Sequence, residues 1–188
     1  INTLSDFIWG GYVAIEDPVR SNVPDAIQAA RNAGIKVKIV TGDNPETAAS
    51  IAAQANISQI PNTMLGKEVE AQTDTNLRKV DVFARTKPED KQTLVKRFQS
   101  MGEVVAVSGD GTNDSPALNQ AEVGIAMNNG TDIAKNAADV ILLDNSFPSI
   151  VLGVKWGRSL YKNIQHFILF QLTVNVAACF LVLFGAFL

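Results

Sequence analysis

Short β-branched runs alternate with helical stretches along most of the chain, until one long apolar run takes over near its end. Val23-Pro24-Asp25 opens the first predicted helix with Pro in its first turn, and Gly34 stops it. Lys36 to Val40 predicts a strand that leads into Thr41-Gly42-Asp43, and Asn44 to Ala55, with Ala-rich faces, predicts the next helix. Pro61 to Arg78 is polar and weakly patterned, and predicts a loop with a short helix. The alternation then resumes with strand Val82 to Ala84, amphipathic helix Pro88 to Met101 and strand Val104 to Val107. Helix Ser115 to Gln120, strand Val123 to Ala126, helix Thr131 to Ala138 and strand Val140 to Leu143 complete the series.

Strands that alternate with helices predict an α/β domain, a parallel sheet with helices on both faces. Ligands in such sheets bind beyond the C-terminal strand ends. Both Gly-Asp motifs, Thr41-Gly42-Asp43 and Ser108-Gly109-Asp110-Gly111, directly follow strands and are expected in that crevice. No internal repeat or low-complexity segment is visible.

From Phe147 a helical pattern continues without a break into the apolar run, as a long stalk helix entering a membrane would. Phe167 to Leu188 contains no charged residue, and its strong polar groups are Gln171, Thr173 and Asn175. About 20 apolar residues suffice to cross a bilayer as a helix. A buried core helix passes the same test, but core helices seldom run this long without a charged face. Lys155, Arg158 and Lys162 precede the run, and basic flanks favour the cytoplasmic side. The expectation is an integral membrane protein with residues 1–166 cytoplasmic and His166 at the interface. The expected division is a domain over 1–146, a stalk over 147–166 and a transmembrane helix over 167–188.

Composition narrows this picture in three ways. The 188 residues are 46% hydrophobic and 19% charged, ordinary for a folded domain with a core. Net charge is −3 without a basic tract, so nucleic-acid binding has no electrostatic support. The single cysteine, Cys179, lies in the apolar run and is expected to be a packed, inert thiol. Ile1 is not an initiator Met and Leu188 falls inside the apolar run, so both ends are expected to be cut.

Ser108 to Asp114 carries the most chemical information. Asp110 and Asp114 lie four residues apart, among two glycines and Asn113. Glycines let backbone approach a phosphate closely, and carboxylates supply hard oxygen ligands for Mg2+. A lone Gly-Asp pair is more often an Asx-rich turn. Here Thr41-Gly42-Asp43 adds a hydroxyl and backbone donors suited to phosphate oxygens. Lys91, near the start of a predicted helix, adds a cation able to neutralise a phosphoryl group and a nearby carboxylate. Alone it would read as a solvated surface lysine; together the three pieces make a phosphate-plus-Mg2+ constellation. Phosphoryl transfer needs charge neutralisation and positioning more than covalent chemistry from the protein. One component is absent: no Asp sits in an Asp-Lys-Thr-Gly setting.

At these residues the chain resembles P-type ATPases, members of the haloacid dehalogenase superfamily. The matching stretches are Glu16 to Arg20, Val40 to Asp43, Phe83 to Pro88, Ser108 to Leu118, Gly130 to Lys135 and Asp139 to Asp144. The resemblance covers nearly the whole chain in the correct order. It implies a Rossmannoid sheet and a pump that forms an aspartyl-phosphate from ATP and couples it to ion movement. Carried over, Asp110 ligates Mg2+ and Asp114 supports that site. Thr41, Gly42 and Asn113 contact the phosphoryl group, Lys91 neutralises it, Asp43 lies at the nucleotide-facing rim and Arg85 sits close by, near the nucleotide. Ser108, Thr112 and Ser115 depart from the usual Thr-Gly-Asp-Gly-Val-Asn-Asp-Ala-Pro but leave the carboxylates and Asn113 in place. The larger departure is the missing Asp-Lys-Thr-Gly-Thr segment with its nucleotide-binding domain, expected upstream in the same pump. The helix after Gly157 resembles the fifth transmembrane helix of calcium pumps, most closely of the plasma-membrane type. The resemblance then makes Asn175 a ligand of transported Ca2+, where the bland alternative is a helix–helix hydrogen bond. Reticulum-type pumps carry Glu where this chain has Ala178, which implies one Ca2+ per cycle.

Three other readings stay open. A pump for another cation would share these motifs. A free-standing phosphatase of the same superfamily would need a nucleophilic Asp, and neither Asp6 nor Asp17 sits in the required motif. A non-catalytic membrane-anchored module would have no use for Thr41, Lys91, Asp110 and Asp114. The chain alone is expected to be inactive for want of the nucleophile. Without that strand its sheet would expose an edge, and the chain would tend to associate.

Overall fold

The computed structural model describes residues 10–13 and 18–187; Asp6, Glu16 and Asp17 lie outside them. The order of elements is α1 (Val23–Asn32), β1 (Ile39–Val40), α2 (Pro45–Gln54), β2 (Thr63–Leu65), α3 (Asp74–Lys79), β3 (Val82–Ala84) and α4 (Pro88–Ser100), then β4 (Ala106–Gly109), α5 (Ser115–Gln120), β5 (Val123–Met127), α6 (Asp132–Ala137), β6 (Val140–Leu142) and α7 (Phe147–Phe187). All pairings among them are parallel, as the alternation predicts.

The strands form two three-stranded sheets, in the orders β1-β3-β2 and β4-β5-β6, where a single sheet was expected. Each of β1 and β4 has one partner, β3 and β5 respectively, and so keeps an unpaired edge among the described residues. A second difference is β2, which falls in the stretch expected to be a loop. Its three residues are all half-buried, so burial leaves no alternation for the sequence to display.

In the first sheet β3 is the centre and shows why helices cover both faces. Its side chains alternate, and all three are buried. Val82 and Ala84 join Ile27 of α1 and Ala48 and Ala52 of α2 in one core. Phe83 points the other way, into a second core with Leu77 of α3 and Leu94 and Phe98 of α4. The Phe83 and Phe98 rings meet edge to face at 6.5 Å and 80°. Helix α4 also packs on α5 and so joins the first sheet to the second. In the second sheet α5 presses directly on β5. A Cβ at Gly124 would stand 2.7 Å from the Leu118 carbonyl oxygen, so only glycine fits.

Helix α7 is one continuous run of 41 residues, long and apolar enough to cross a membrane, with none of them buried. It starts beyond the C-terminal end of β6 and runs back along α1. Arg158 Nη1 donates to the Ala33 carbonyl, at the C-terminal end of α1, at 2.6 Å. Because α1 feeds the N-terminal end of β1, α7 leaves the domain at the end opposite the C-terminal strand ends. Cys179, expected to be packed, is exposed on α7, where no described element covers it.

Candidate functional site

Parallel strands collect their C-terminal ends on one side, and most of the candidate side chains lie there. Thr41 follows β1 and donates its N–H to the Phe83 carbonyl at 2.9 Å. Its hydroxyl donates to Asp43 Oδ2 at 2.9 Å and accepts from the Asp43 N–H at 3.1 Å. Asp43 and Gly42 are exposed, and Gly42 meets nothing closer than the Thr86 carbonyl oxygen at 3.8 Å from its ideal Cβ. Arg85, just past β3, donates its N–H to the Asp43 carbonyl at 2.9 Å. Its φ of 53° is left-handed, a conformation that costs a non-glycine residue about 1–3 kcal/mol. The backbone thus holds the exposed Arg85 beside the Thr41 turn.

Thr86 is a residue that the sequence reading missed. It is buried, and both its N–H (3.0 Å) and its hydroxyl (2.9 Å) donate to the Thr41 carbonyl. Buried Gly66 makes room for it, since a Cβ there would come within 2.8 Å of the Thr86 Cα. The only signal was its place between Arg85 and the Lys87-Pro88 helix start.

That helix start aims Lys91. Pro88 opens α4, and the Lys87 N–H donates to Asp90 Oδ2 at 2.8 Å. A lysine in a first helical turn faces the positive end of the helix dipole, which disfavours it. Here Lys91 Nζ donates to Asp114 Oδ1 at 2.6 Å, with side-chain exposures of 18% and 16%. Asp114 Oδ2 accepts from the Gly111 N–H at 3.2 Å. A Cβ on Gly109 would lie 2.5 Å from the Asp114 Cβ, so glycine lets Asp114 fold back over the end of β4. Asp114 therefore spends one oxygen on Lys91 of α4 and the other within its own turn.

Asp110 is different. Its side chain is exposed and makes no ion pair among the described residues. Its backbone is clamped, because its carbonyl accepts from the Thr131 N–H at 2.8 Å and a Cβ on Gly130 would stand 3.0–3.1 Å from its carbonyl oxygen and Cα. Asn113 is exposed beside it. The Ser115 hydroxyl, next to Asp114, is buried and has no hydrogen-bond partner among the described residues.

The structure therefore joins Thr41, Gly42, Asp43 and Arg85 in one group and Lys91, Asp110, Asn113 and Asp114 in another. The link between them is Thr86 and the start of α4, with no direct hydrogen bond between the two sets of side chains among the described residues. Among the described residues no three His, Cys, Asp or Glu side chains converge as a metal cage. Mg2+ does not need one, because it is commonly held by one or two carboxylates, water and substrate phosphate. One open carboxylate on a clamped backbone fits that use. Two open pockets lie elsewhere, at the N-terminal strand ends and between α1 and α7. Asn175 lies far along α7, exposed, where its Oδ1 accepts from Gln171 Nε2 at 3.4 Å; no other candidate comes near it.

The model of the haloacid dehalogenase-like hydrolases matches residues 5–122. The chain belongs to that family. This haloacid dehalogenase-like chain is 48% identical over 183 residues to the plasma membrane-type calcium-transporting ATPase 5 of Oryza sativa subsp. japonica, across 92% of its own length and 17% of the relative's. It is 44% identical over 191 residues to calcium-transporting ATPase 2 of Schizosaccharomyces pombe, across 98% and 15%. It thus spans less than a fifth of these relatives. Among solved structures it is similar to a zinc-transporting PIB-type ATPase in the E2.Pi state, with TM-score 0.64, 31% identity and coverage of 80% of this chain and 21% of that one. It is also similar to the catalytic domain of a CPx-ATPase, with TM-score 0.58, 29% identity and coverage of 72% and 45%.

Proposed function

We propose that this chain is the second half of the phosphorylation domain of a P-type, Ca2+-transporting ATPase, with a stalk and one membrane helix. The phosphorylation half takes residues 1–146, the stalk 147–166 and the span 167–188, with 1–166 cytoplasmic. The names of its sequence relatives support Ca2+ as cargo. The observation that carries the reading is the contact of Lys91 with Asp114 beside the open carboxylate of Asp110, all at C-terminal strand ends.

In the proposed reaction a carboxylate oxygen of an aspartate outside this chain attacks the γ-phosphorus of ATP. The bond from that phosphorus to the ADP oxygen breaks, and water later cleaves the acyl-phosphate. Lys91 holds positive charge where the transferring group gains negative charge. The Thr41 hydroxyl, the Gly42 N–H and Asn113 donate to its oxygens and fix its orientation. Asp43 and Arg85 face the nucleotide. Asp110 would hold Mg2+, which would supply charge neutralisation for phosphate oxygens, while Asp114 keeps Lys91 and the 109–114 turn in place. The unpaired edges of β1 and β4, which carry Thr41 and Asp110, leave room for the strand that bears the nucleophile. Asn175 is the chain's contribution to the Ca2+ path, and this piece by itself turns over no phosphate.

The test uses the intact pump in membranes supplied with ATP labelled on the γ-phosphate. Acid-stable phosphoenzyme should form only with Ca2+ and should vanish in Asp110→Asn. Phosphoenzyme that depends on another cation would keep the pump class and reject Ca2+. Such a pump is the second reading, raised by the zinc-transporting structural relative. Turnover of a generic phosphomonoester by the 188-residue chain, abolished by Asp110→Asn, would replace both with a phosphatase.

A further inference from the structure

Asn145, the second residue before α7, is bonded through its backbone and its side chain alike. Its φ of 50° is left-handed, a conformation that asparagine tolerates better than most residues. Its N–H donates to the Leu142 carbonyl at 3.3 Å and closes the turn after β6. Its carbonyl accepts from Arg20 Nη1 at 2.8 Å, which ties it to the segment before α1. Its side-chain Oδ1 reaches out of the turn and accepts from the Asn129 N–H at 3.2 Å. The neighbours brace it further. Asp144 accepts from the Ser146 N–H at 3.2 Å and from the Ser149 hydroxyl, and Phe147 packs on a core of the first sheet.

Asn129 belongs to the 128–131 loop between β5 and α6, and that loop holds the Asp110 backbone. The Asn128 N–H donates to the Leu142 carbonyl at 3.0 Å, and the Gly130 N–H to the Met127 carbonyl at 3.0 Å. The Thr131 N–H donates to the Asp110 carbonyl at 2.8 Å, and a Cβ on Gly130 would meet that same oxygen at 3.0 Å. Asn128, Asn129 and Thr131 are exposed, so hydrogen bonds rather than burial fix the loop. Leu142 anchors its first residue and Asn145 its second. The Asp110 side chain is exposed and makes no ion pair among the described residues, so its backbone decides where the carboxylate stands. We propose that Asn145 is a positioning residue for Asp110: by fixing the 128–131 loop it sets where that carboxylate stands and how tightly the site would hold Mg2+. A residue that only closed the turn after β6 would need no bond to Asn129. This role rests on the reading of Asp110 as the Mg2+ ligand.

Asn145→Gly isolates the side-chain bond, because glycine keeps the left-handed backbone and loses the oxygen. Asn145→Asp keeps an oxygen acceptor at the same place. Amide exchange of the full chain in detergent, without Mg2+, reads the position directly. The Thr131, Gly111 and Asp114 amides bond within the Asp110 turn and its clamp. Loss of one hydrogen bond should speed their exchange about fivefold in Asn145→Gly, with β3 unchanged and Asn145→Asp close to the parent. In the proposed pump, the free Mg2+ concentration for half-maximal phosphoenzyme should rise about fivefold in Asn145→Gly, with the full level regained at high Mg2+. Faster exchange confined to 129 and 143–147 would overturn the positioning role and leave Asn145 a turn residue. So would an unchanged Mg2+ midpoint, or a lowered level that high Mg2+ fails to restore. Arg20→Met, which removes the brace on the Asn145 carbonyl, should shift the same amides in the same direction. It replaces Asn145→Gly if that variant loses β3 protection, and no shift in it would then overturn the role. If Asp110→Asn kept the parent's Mg2+ dependence, the reading of Asp110 as the Mg2+ ligand would fall too. A dependence lost in Asp110→Asn but unchanged in Asn145→Gly would overturn the role of Asn145 alone.

Discussion

The candidate site depends on the Lys91–Asp114 pair, and the cost of breaking it can be worked from its geometry. Nζ and Oδ1 are 2.6 Å apart, and the side chains keep 18% and 16% of their exposure. At an effective dielectric of about 20, two unit charges at that distance attract by roughly 6 kcal/mol. Withdrawing both ions from water offsets most of that. Exposed pairs retain about 0.2–1 kcal/mol, and breaking a buried pair costs about 3–5 kcal/mol. This pair lies between those cases, so a double-mutant cycle of Lys91→Met and Asp114→Asn should give a coupling of about 1–3 kcal/mol. Asp114 keeps its Gly111 N–H in the lysine variant, so the turn should loosen without unfolding. Hydrogen exchange at α4 and β4, measured on the full chain in detergent, reads the local opening free energy. In the proposed pump, Lys91→Met should slow phosphoenzyme formation by about 100- to 1,000-fold, as loss of a charge stabiliser does. A coupling below about 0.5 kcal/mol would refute the argument, because additivity at that level marks side chains that do not act together.

Three further outcomes follow from single contacts. Gly109→Ala puts a Cβ 2.5 Å from the Asp114 Cβ, so it should cost about 1–3 kcal/mol and speed exchange over 109–114; unchanged exchange would mean the turn does not depend on that glycine. Arg97 donates to the carbonyls of Val69 (3.2 Å) and Gln72 (2.8 Å) and to Asp74 Oδ1 (2.6 Å), so Arg97→Ala should cost about 2–3 kcal/mol, read as faster exchange confined to 66–79. Burial lowers the Lys38 pKa from its ordinary 10.5, against the pull of Asp81. The unfolded chain then holds more protons between the lowered value and 10.5, so stability should rise with pH across that window. Denaturant titrations should show this rise in the parent and a flatter one in Lys38→Met; a steeper one would reverse the sign.

The fold class and most helix starts were legible because they are local. Pro24 and Pro45 stand in the first turns of α1 and α2, and Asn44 and Thr131 accept from Thr47 and Ala134 as N-caps. β2 was not legible, because three half-buried residues carry no period. Nor was the split into two sheets, since strand order is a long-range choice that leaves no mark within a strand. The same division runs through the site. Asp110 and Asp114 announce themselves by their glycine setting, whereas the role of Thr86 follows from the β1–β3 crossing, 45 residues apart in sequence.

The split between the two sheets and the absence of a nucleophilic Asp belong to one arrangement. β1 and β4, whose ends carry Thr41 and Asp110, are the strands that would adjoin across the split, and each has an unpaired edge. A parallel strand seated between them would satisfy both edges and place its own C-terminal residue between the two groups, beside Lys91. That geometry makes the site and the missing pairing a single physical question. On the proposed reading, the strand that completes the sheet would also supply the group that the phosphate chemistry lacks.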